Sequence, residues 1–139
     1  MAQHRRVSFS GHVQAVIKQG CTIGGGPRGR SVEAWAPAVN VYQLPGRLQV
    51  CVELAGVEPD QIDVRVEPGL LRITGARPAP DPRPEERAGG PMRILDMEID
   101  AGMFQREVRL PADVDLSRVE SRYEQGLLHV TLPMLEKRK

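Results

Sequence analysis

The stretch Phe104-Gln105-Arg106-Glu107-Val108-Arg109-Leu110-Pro111 decides how this sequence folds. Phe104, Val108 and Leu110 share one parity, so in an extended chain they share one face. Arg106 has the same parity and puts a cation on the face that the pattern wants apolar, where an unpaired charge is costly. Two readings follow from the residues. The aliphatic stem lies over the core and the head snorkels at the sheet rim. Alternatively, the guanidinium pairs with carboxylates, including those of a second subunit, a task suited to its planar fork. The pattern alone leaves both open.

The same period of two extends outward from this run. Leu48, Val50, Val52 and Leu54 alternate with Gln49, Cys51 and Glu53; Ile62, Val64 and Val66 alternate with Asp63, Arg65 and Glu67; Leu71 and Ile73 continue as far as Gly75. Each run reads as a half-buried strand. Pro68-Gly69 supplies a turn, and Glu124-Gln125-Gly126 joins Val119–Tyr123 to Leu128–Leu132 as a tight hairpin. Sustained helical periodicity is missing. Val13, Val16 and Ile17 have helical spacing, but the pattern lasts barely one turn and cannot hold a helix alone. Short strands with short connections predict an all-β, two-layer antiparallel sandwich. Between the strands lies a long loop with Pro78, Pro80, Pro82 and Pro84, then Ala88-Gly89-Gly90-Pro91 and the apolar island Met92-Arg93-Ile94-Leu95. Alternating prolines favour an extended, semi-rigid chain, and a loop of this length in a compact domain is usually functional.

Length and composition bound the function. The 139 residues suit one domain, and a net charge of +1 gives no global field to draw in nucleic acid. Aromatic residues are 4% of the chain, too few for base-stacking platforms. The apolar runs are too short to span a membrane, and no apolar signal core follows Arg5 and Arg6. Cys21 and Cys51 stand far apart without a second pair, which reads as two reduced thiols in a cytoplasmic protein. His4 and His12 fall in a basic segment; His129 points outward between Leu128 and Val130. Neither a nucleophile–base pair nor a ligand cluster emerges, and Gly24-Gly25-Gly26 lacks the Lys-Ser/Thr of a phosphate loop. The expectation is a protein with no catalytic site, cofactor or metal, and no nucleic-acid or membrane partner.

Four segments resemble the α-crystallin domain of the small heat-shock proteins. Leu54-Ala55-Gly56-Val57 with Glu58-Pro59-Asp60-Gln61-Ile62 is similar to the family's Leu-Pro-Gly-Val segment, with Ala55 where proline is usual. Leu71-Arg72-Ile73-Thr74-Gly75 followed by Arg77 is similar to the strand before the long loop. Gly102-Met103 and the run to Pro111 resemble the signature strand, whose arginine falls on Arg106. Ser121-Arg122-Tyr123-Glu124-Gln125-Gly126-Leu127-Leu128 resembles the Ala-x-x-x-Asn-Gly-Val-Leu box, departing from it at Ser121, Gln125 and Leu127.

The resemblance implies an immunoglobulin-like sandwich over residues 35–133; the cations Arg5, Arg6, Lys18, Arg28 and Arg30 and the Gly24–Gly29 stretch mark 1–34 as a flexible basic arm, and 134–139 is a short charged tail. The resemblance also implies an ATP-independent holdase that binds partly unfolded proteins; the alternative is an adaptor using a CS-like sandwich to dock one partner. A homodimer interface is implied at Arg106, at the loop island Met92, Arg93, Ile94 and Leu95, and at the receiving strand around Val39, Val41 and Tyr42. A client or peptide groove is implied along Ile62, Val64 and Val66 and along Val119, Ser121 and Tyr123. The family's Ile-x-Ile tail motif is missing after Pro133. The expectation is therefore a dimer or small homo-oligomer, with the groove open or filled by Val13, Val16 and Ile17 of the arm.

Overall fold

The computed structural model describes residues 34–136 and two earlier strands, β1 (His4–Val7) and β2 (Ala15–Lys18). Seven further strands follow: β3 (Val39–Leu44), β4 (Arg47–Glu53), β5 (Ile62–Glu67), β6 (Leu70–Arg77), β7 (Gly102–Arg109), β8 (Glu120–Glu124) and β9 (Leu127–Pro133). They form a four-stranded antiparallel sheet in the order β3-β4-β9-β8 and a three-stranded one in the order β5-β6-β7. The two sheets share one core, as an antiparallel sandwich should. Each strand inferred from alternation is present.

Register explains why the pattern folds this way. Across the larger sheet Leu48 faces Leu132, Val50 faces Val130 and Val52 faces Leu128, so the inward residues of β4 and β9 stack into apolar columns. Across the smaller sheet the inward rows are Val66–Leu71–Val108, Val64–Ile73–Arg106 and Ile62–Gly75–Phe104. Gly75 sits mid-row for a steric reason: a Cβ there would lie 2.6 Å from the Phe104 ring and closer still to the Gln61 carbonyl. The Gln125-Gly126 hairpin takes positive φ at both residues (51° and 76°), the geometry of a tight turn matched to strand twist.

Two local features go beyond the sequence expectation. The helical spacing around Val16 and Ile17 does not produce a helix: Ala15–Lys18 is strand β2, paired antiparallel with β1, and its backbone runs alongside β5 within 8 Å. A neighbouring strand decides the conformation of so short a segment. The proline loop is not extended throughout, because Pro84–Arg87 makes a single 3-10 turn. Val13 lies outside the described residues. Among the described residues no helix is long and apolar enough to cross a membrane.

Candidate functional site: an apolar loop and an unpartnered arginine

Among the described residues, the loop between β6 and β7 carries most of the exposed large apolar side chains. Met92, Ile94, Leu95, Met97 and Ile99 are all solvent-exposed, Leu95 at 81%. The strip is longer than the island Met92-Arg93-Ile94-Leu95 suggests, because Leu95, Met97 and Ile99 alternate with Asp96, Glu98 and Asp100. That is the pattern of a half-buried strand, yet residues 91–101 pair with no strand among the described residues. The two limbs of the loop, 79–82 and 92–101, line an open cleft of about 650 Å3.

The expected receiving strand, β3, is one edge of the four-stranded sheet. Val41 (48%) and Tyr42 (51%) are exposed on it, while Val39 is half-buried against the core. Asn40 donates to the Tyr42 hydroxyl at 2.9 Å. A free edge with exposed apolar side chains is a surface that natural proteins normally cover.

Arg106 is half-buried on β7, opposite the fully buried Ile73. Among the described residues it makes neither an ion pair nor a side-chain hydrogen bond. Its neighbours differ: Arg72 pairs with Glu107 at 3.0 Å and Arg65 with Asp63 at 2.7 Å. Beyond β7, Trp35 forms a parallel bridge to Phe104, with Trp35 N donating to Met103 O (3.2 Å) and Gln105 N donating to Trp35 O (3.0 Å).

The expected groove takes a different form. Ile62, Val64, Val66, Val119 and Ser121 all turn inward and are buried, so among the described residues they are core rather than an open apolar trough. Inward alternation on the edge strands β5 and β8 closes the two sheets against each other. What remains at this margin is strand edge, and β2 runs along the β5 side of it. Ser121 Oγ is buried without a hydrogen-bond partner among the described residues. Tyr123 is half-buried, and its hydroxyl lies 2.6 Å from the Leu54 carbonyl and 2.9 Å from that of Val57. Burial raises its phenol above the ordinary value, aided by the charges of Glu53 and Glu58 and opposed by the Val57 hydrogen bond and the Arg77 charge. At the other end of the sandwich, Asp115 closes a turn by accepting from Ser117 N and Oγ and from Arg118 Nε. Those bonds, Ser117's first, hold its carboxyl below the usual range.

The signature strand, the exposed loop and all of the edge strand β3 but Val39 and Asn40 lie within one segment, residues 41–139, that matches the model described as the Hsp20/alpha crystallin family. The chain belongs to the Hsp20/alpha crystallin family. It is 33% identical over 102 residues to Heat shock protein 16 of Schizosaccharomyces pombe, covering 73% of this chain and 68% of that one. It is 31% identical over 104 residues to 18 kDa antigen 1 of Mycobacterium avium, covering 73% and 65%. The chain thus spans about two thirds of these relatives' length. Among solved structures, Heat shock protein 16.0 from Schizosaccharomyces pombe superposes with a TM-score of 0.63 at 34% identity, covering 75% of this chain and 91% of that one. The sandwich is therefore the Hsp20/alpha crystallin sandwich, with a long loop between β6 and β7.

Two features of this Hsp20/alpha crystallin domain were missed in the sequence. Trp35 carried no periodic signal because it stands alone ahead of β3. Arg77 was noted only as following Gly75, although its side chain gathers three segments. The extension of the apolar strip to Met97 and Ile99 was legible as alternation but interleaved with acids.

Proposed function

We propose that this chain is an ATP-independent holdase that binds partly unfolded proteins in the cytoplasm and prevents their aggregation. It works as a homodimer or small homo-oligomer. The observation that carries the reading is the strip Met92, Ile94, Leu95, Met97 and Ile99, exposed in alternation with Asp96, Glu98 and Asp100. An extended apolar segment of this kind is suited to pair with a strand edge of a second copy, and β3 with Val41 and Tyr42 offers one. Arg106 and Arg93 belong to the same contact in this reading, Arg106 as the cation that a partner's carboxylate satisfies. The relatives bearing heat-shock names support the chaperone assignment.

Residues 35–133 act as the assembling domain, 1–34 as an arm and 134–139 as a short tail. The backbone edges of β5 and β8, above the buried side chains of Ile62, Val64, Val66, Val119 and Ser121 and the half-buried Tyr123, are the place where an extended peptide adds. The anchors Val13, Val16 and Ile17 of the arm compete for it, a role supported by the position of β2 beside β5.

The test is heat-induced light scattering of an unrelated enzyme mixed with the purified protein at near-equal subunit ratio and without nucleotide. Suppression of scattering is expected. Undiminished scattering at every temperature overturns the holdase reading, and a monomer that retains one stable partner in pull-downs replaces it with an adaptor.

A further inference from the structure

The side chain of Arg77 lies at the meeting of three segments that the sequence keeps far apart. Its Nε donates to the carbonyl of Asp100 at 2.8 Å, where the long loop ends. Its Nη1 donates to the carbonyl of Ala55 at 3.3 Å and stands 3.9 Å from Glu53 Oε1. The guanidinium carbon lies 4.2 Å from the centroid of the Trp35 ring. Trp35 in turn donates from Nε1 to the carbonyl of Gly102 at 3.2 Å and packs on Phe104 with ring centroids 5.5 Å apart. Arg77 is 89% shielded from solvent as a side chain, by the complement of its 11% exposure, and it faces Gly102 in the β6–β7 ladder. Gly102 has φ +85°, where the chain turns out of the loop into β7.

The arrangement has a mechanical meaning. The last turn of the loop, Asp100 to Gly102, is held by two side chains aimed at its carbonyls. One of them, Trp35, closes the segment that leads out of residues 1–34 and is itself bridged to β7 by backbone bonds. A stacked, shielded guanidinium with carbonyl acceptors is a rigid joint, because its donors are fixed in one plane and the aromatic face fixes that plane. We propose that Arg77 and Trp35 form a clasp that sets the direction in which the loop leaves the sandwich, and so its engagement with a second copy. They are positioning residues: neither is among the residues assigned to touch the partner. The proposal rests on the reading that the loop dimerises.

The test uses the full chain and its single tryptophan. Sedimentation of Arg77→Ala and of Trp35→Phe is compared with that of the unaltered chain, with circular dichroism as a check on folding. Losing a charge-assisted contact at the clasp should raise the dimer dissociation constant by roughly tenfold or more in Arg77→Ala. Arg77→Lys, which keeps the charge but not the planar fork, should recover only part of this, and Trp35→Phe should weaken the dimer less because stacking survives. Diluting the unaltered protein through dimer dissociation should shift Trp35 emission to the red as the loop and clasp loosen together, a change that a purely structural role would not give. Should Arg77→Ala fail to fold, Arg77→Lys and Trp35→Phe with the dilution series decide the matter. Dimers of unaltered strength in folded variants, or constant Trp35 emission on dilution, overturn the clasp while leaving the loop's role intact. A chain that is monomeric before any substitution overturns the loop reading and the clasp with it.

Discussion

Arg106 stands directly opposite Ile73 in the β6–β7 ladder, on the face that both strands turn inward, yet Ile73 is fully buried and Arg106 only half. The row Val64–Ile73–Arg106 therefore begins as core and ends as a half-buried cation that has no side-chain partner among the described residues. Burying a charge is tolerated where a partner is supplied, and a second subunit is the proposed supplier.

Arg106→Ala should leave the partner's carboxylates facing an empty site and weaken association by roughly 3–5 kcal/mol where that contact is fully desolvated. The single-chain sandwich should keep its strand content, because the Arg106 side chain bonds to nothing among the described residues. Subunit exchange followed by energy transfer between labelled copies reads the effect. Exchange at the unaltered rate would assign Arg106 to snorkelling over the core instead.

Tyr123→Phe should cost about 1–2 kcal/mol, because the carbonyls of Leu54 and Val57 then lose the hydroxyl placed between them. The raised phenol pKa adds a pH signature. A folded-state value above the unfolded one means that the neutral phenol favours the folded chain. This contribution is complete below the unfolded value near 10 and fades as the pH rises through the folded one. Urea titrations at pH 8 and pH 11 should show the difference between Tyr123 and Phe shrinking at the higher pH.

Ser121→Ala should stabilise the fold or leave it unchanged, within about 1 kcal/mol, because it removes a buried hydroxyl that has no partner among the described residues. Thermal unfolding measures this. A clear loss of stability would mean that the hydroxyl is bonded, for instance by a segment seated on the β8 margin.

Gly75→Ala should destabilise by roughly 1–3 kcal/mol, since the new methyl meets the Phe104 ring and the Gln61 carbonyl and neither can retreat without moving core or backbone. Pairing it with Phe104→Leu should recover part of the loss, which denaturant midpoints would register.

The sandwich was legible because alternation is a local signal: Leu48–Leu54, Ile62–Val66 and Leu128–Leu132 each declare an inner face without reference to any other strand. Arg106 was legible as a misfit for the same reason. The margin between β5 and β8 was not, because whether inward residues line a trough or a core depends on how far two sheets close, which neither strand encodes. The Arg77–Trp35 contact was hidden for a related reason: it joins residues 42 positions apart through a cation and a ring, with no periodicity to mark it. β2 carried no strand signal because so short a segment takes its conformation from the strands beside it.

The native mass of the full chain, measured beside a variant in which Ile94, Leu95, Met97 and Ile99 are all serine, tests the account most directly. The loop keeps its length in that variant but loses its apolar strip. The unaltered chain should have the mass of a dimer or a small multiple of it, and the serine variant should fall to a folded monomer. An assembly of unchanged mass in the variant would contradict the account, because the subunits would then meet through some other surface.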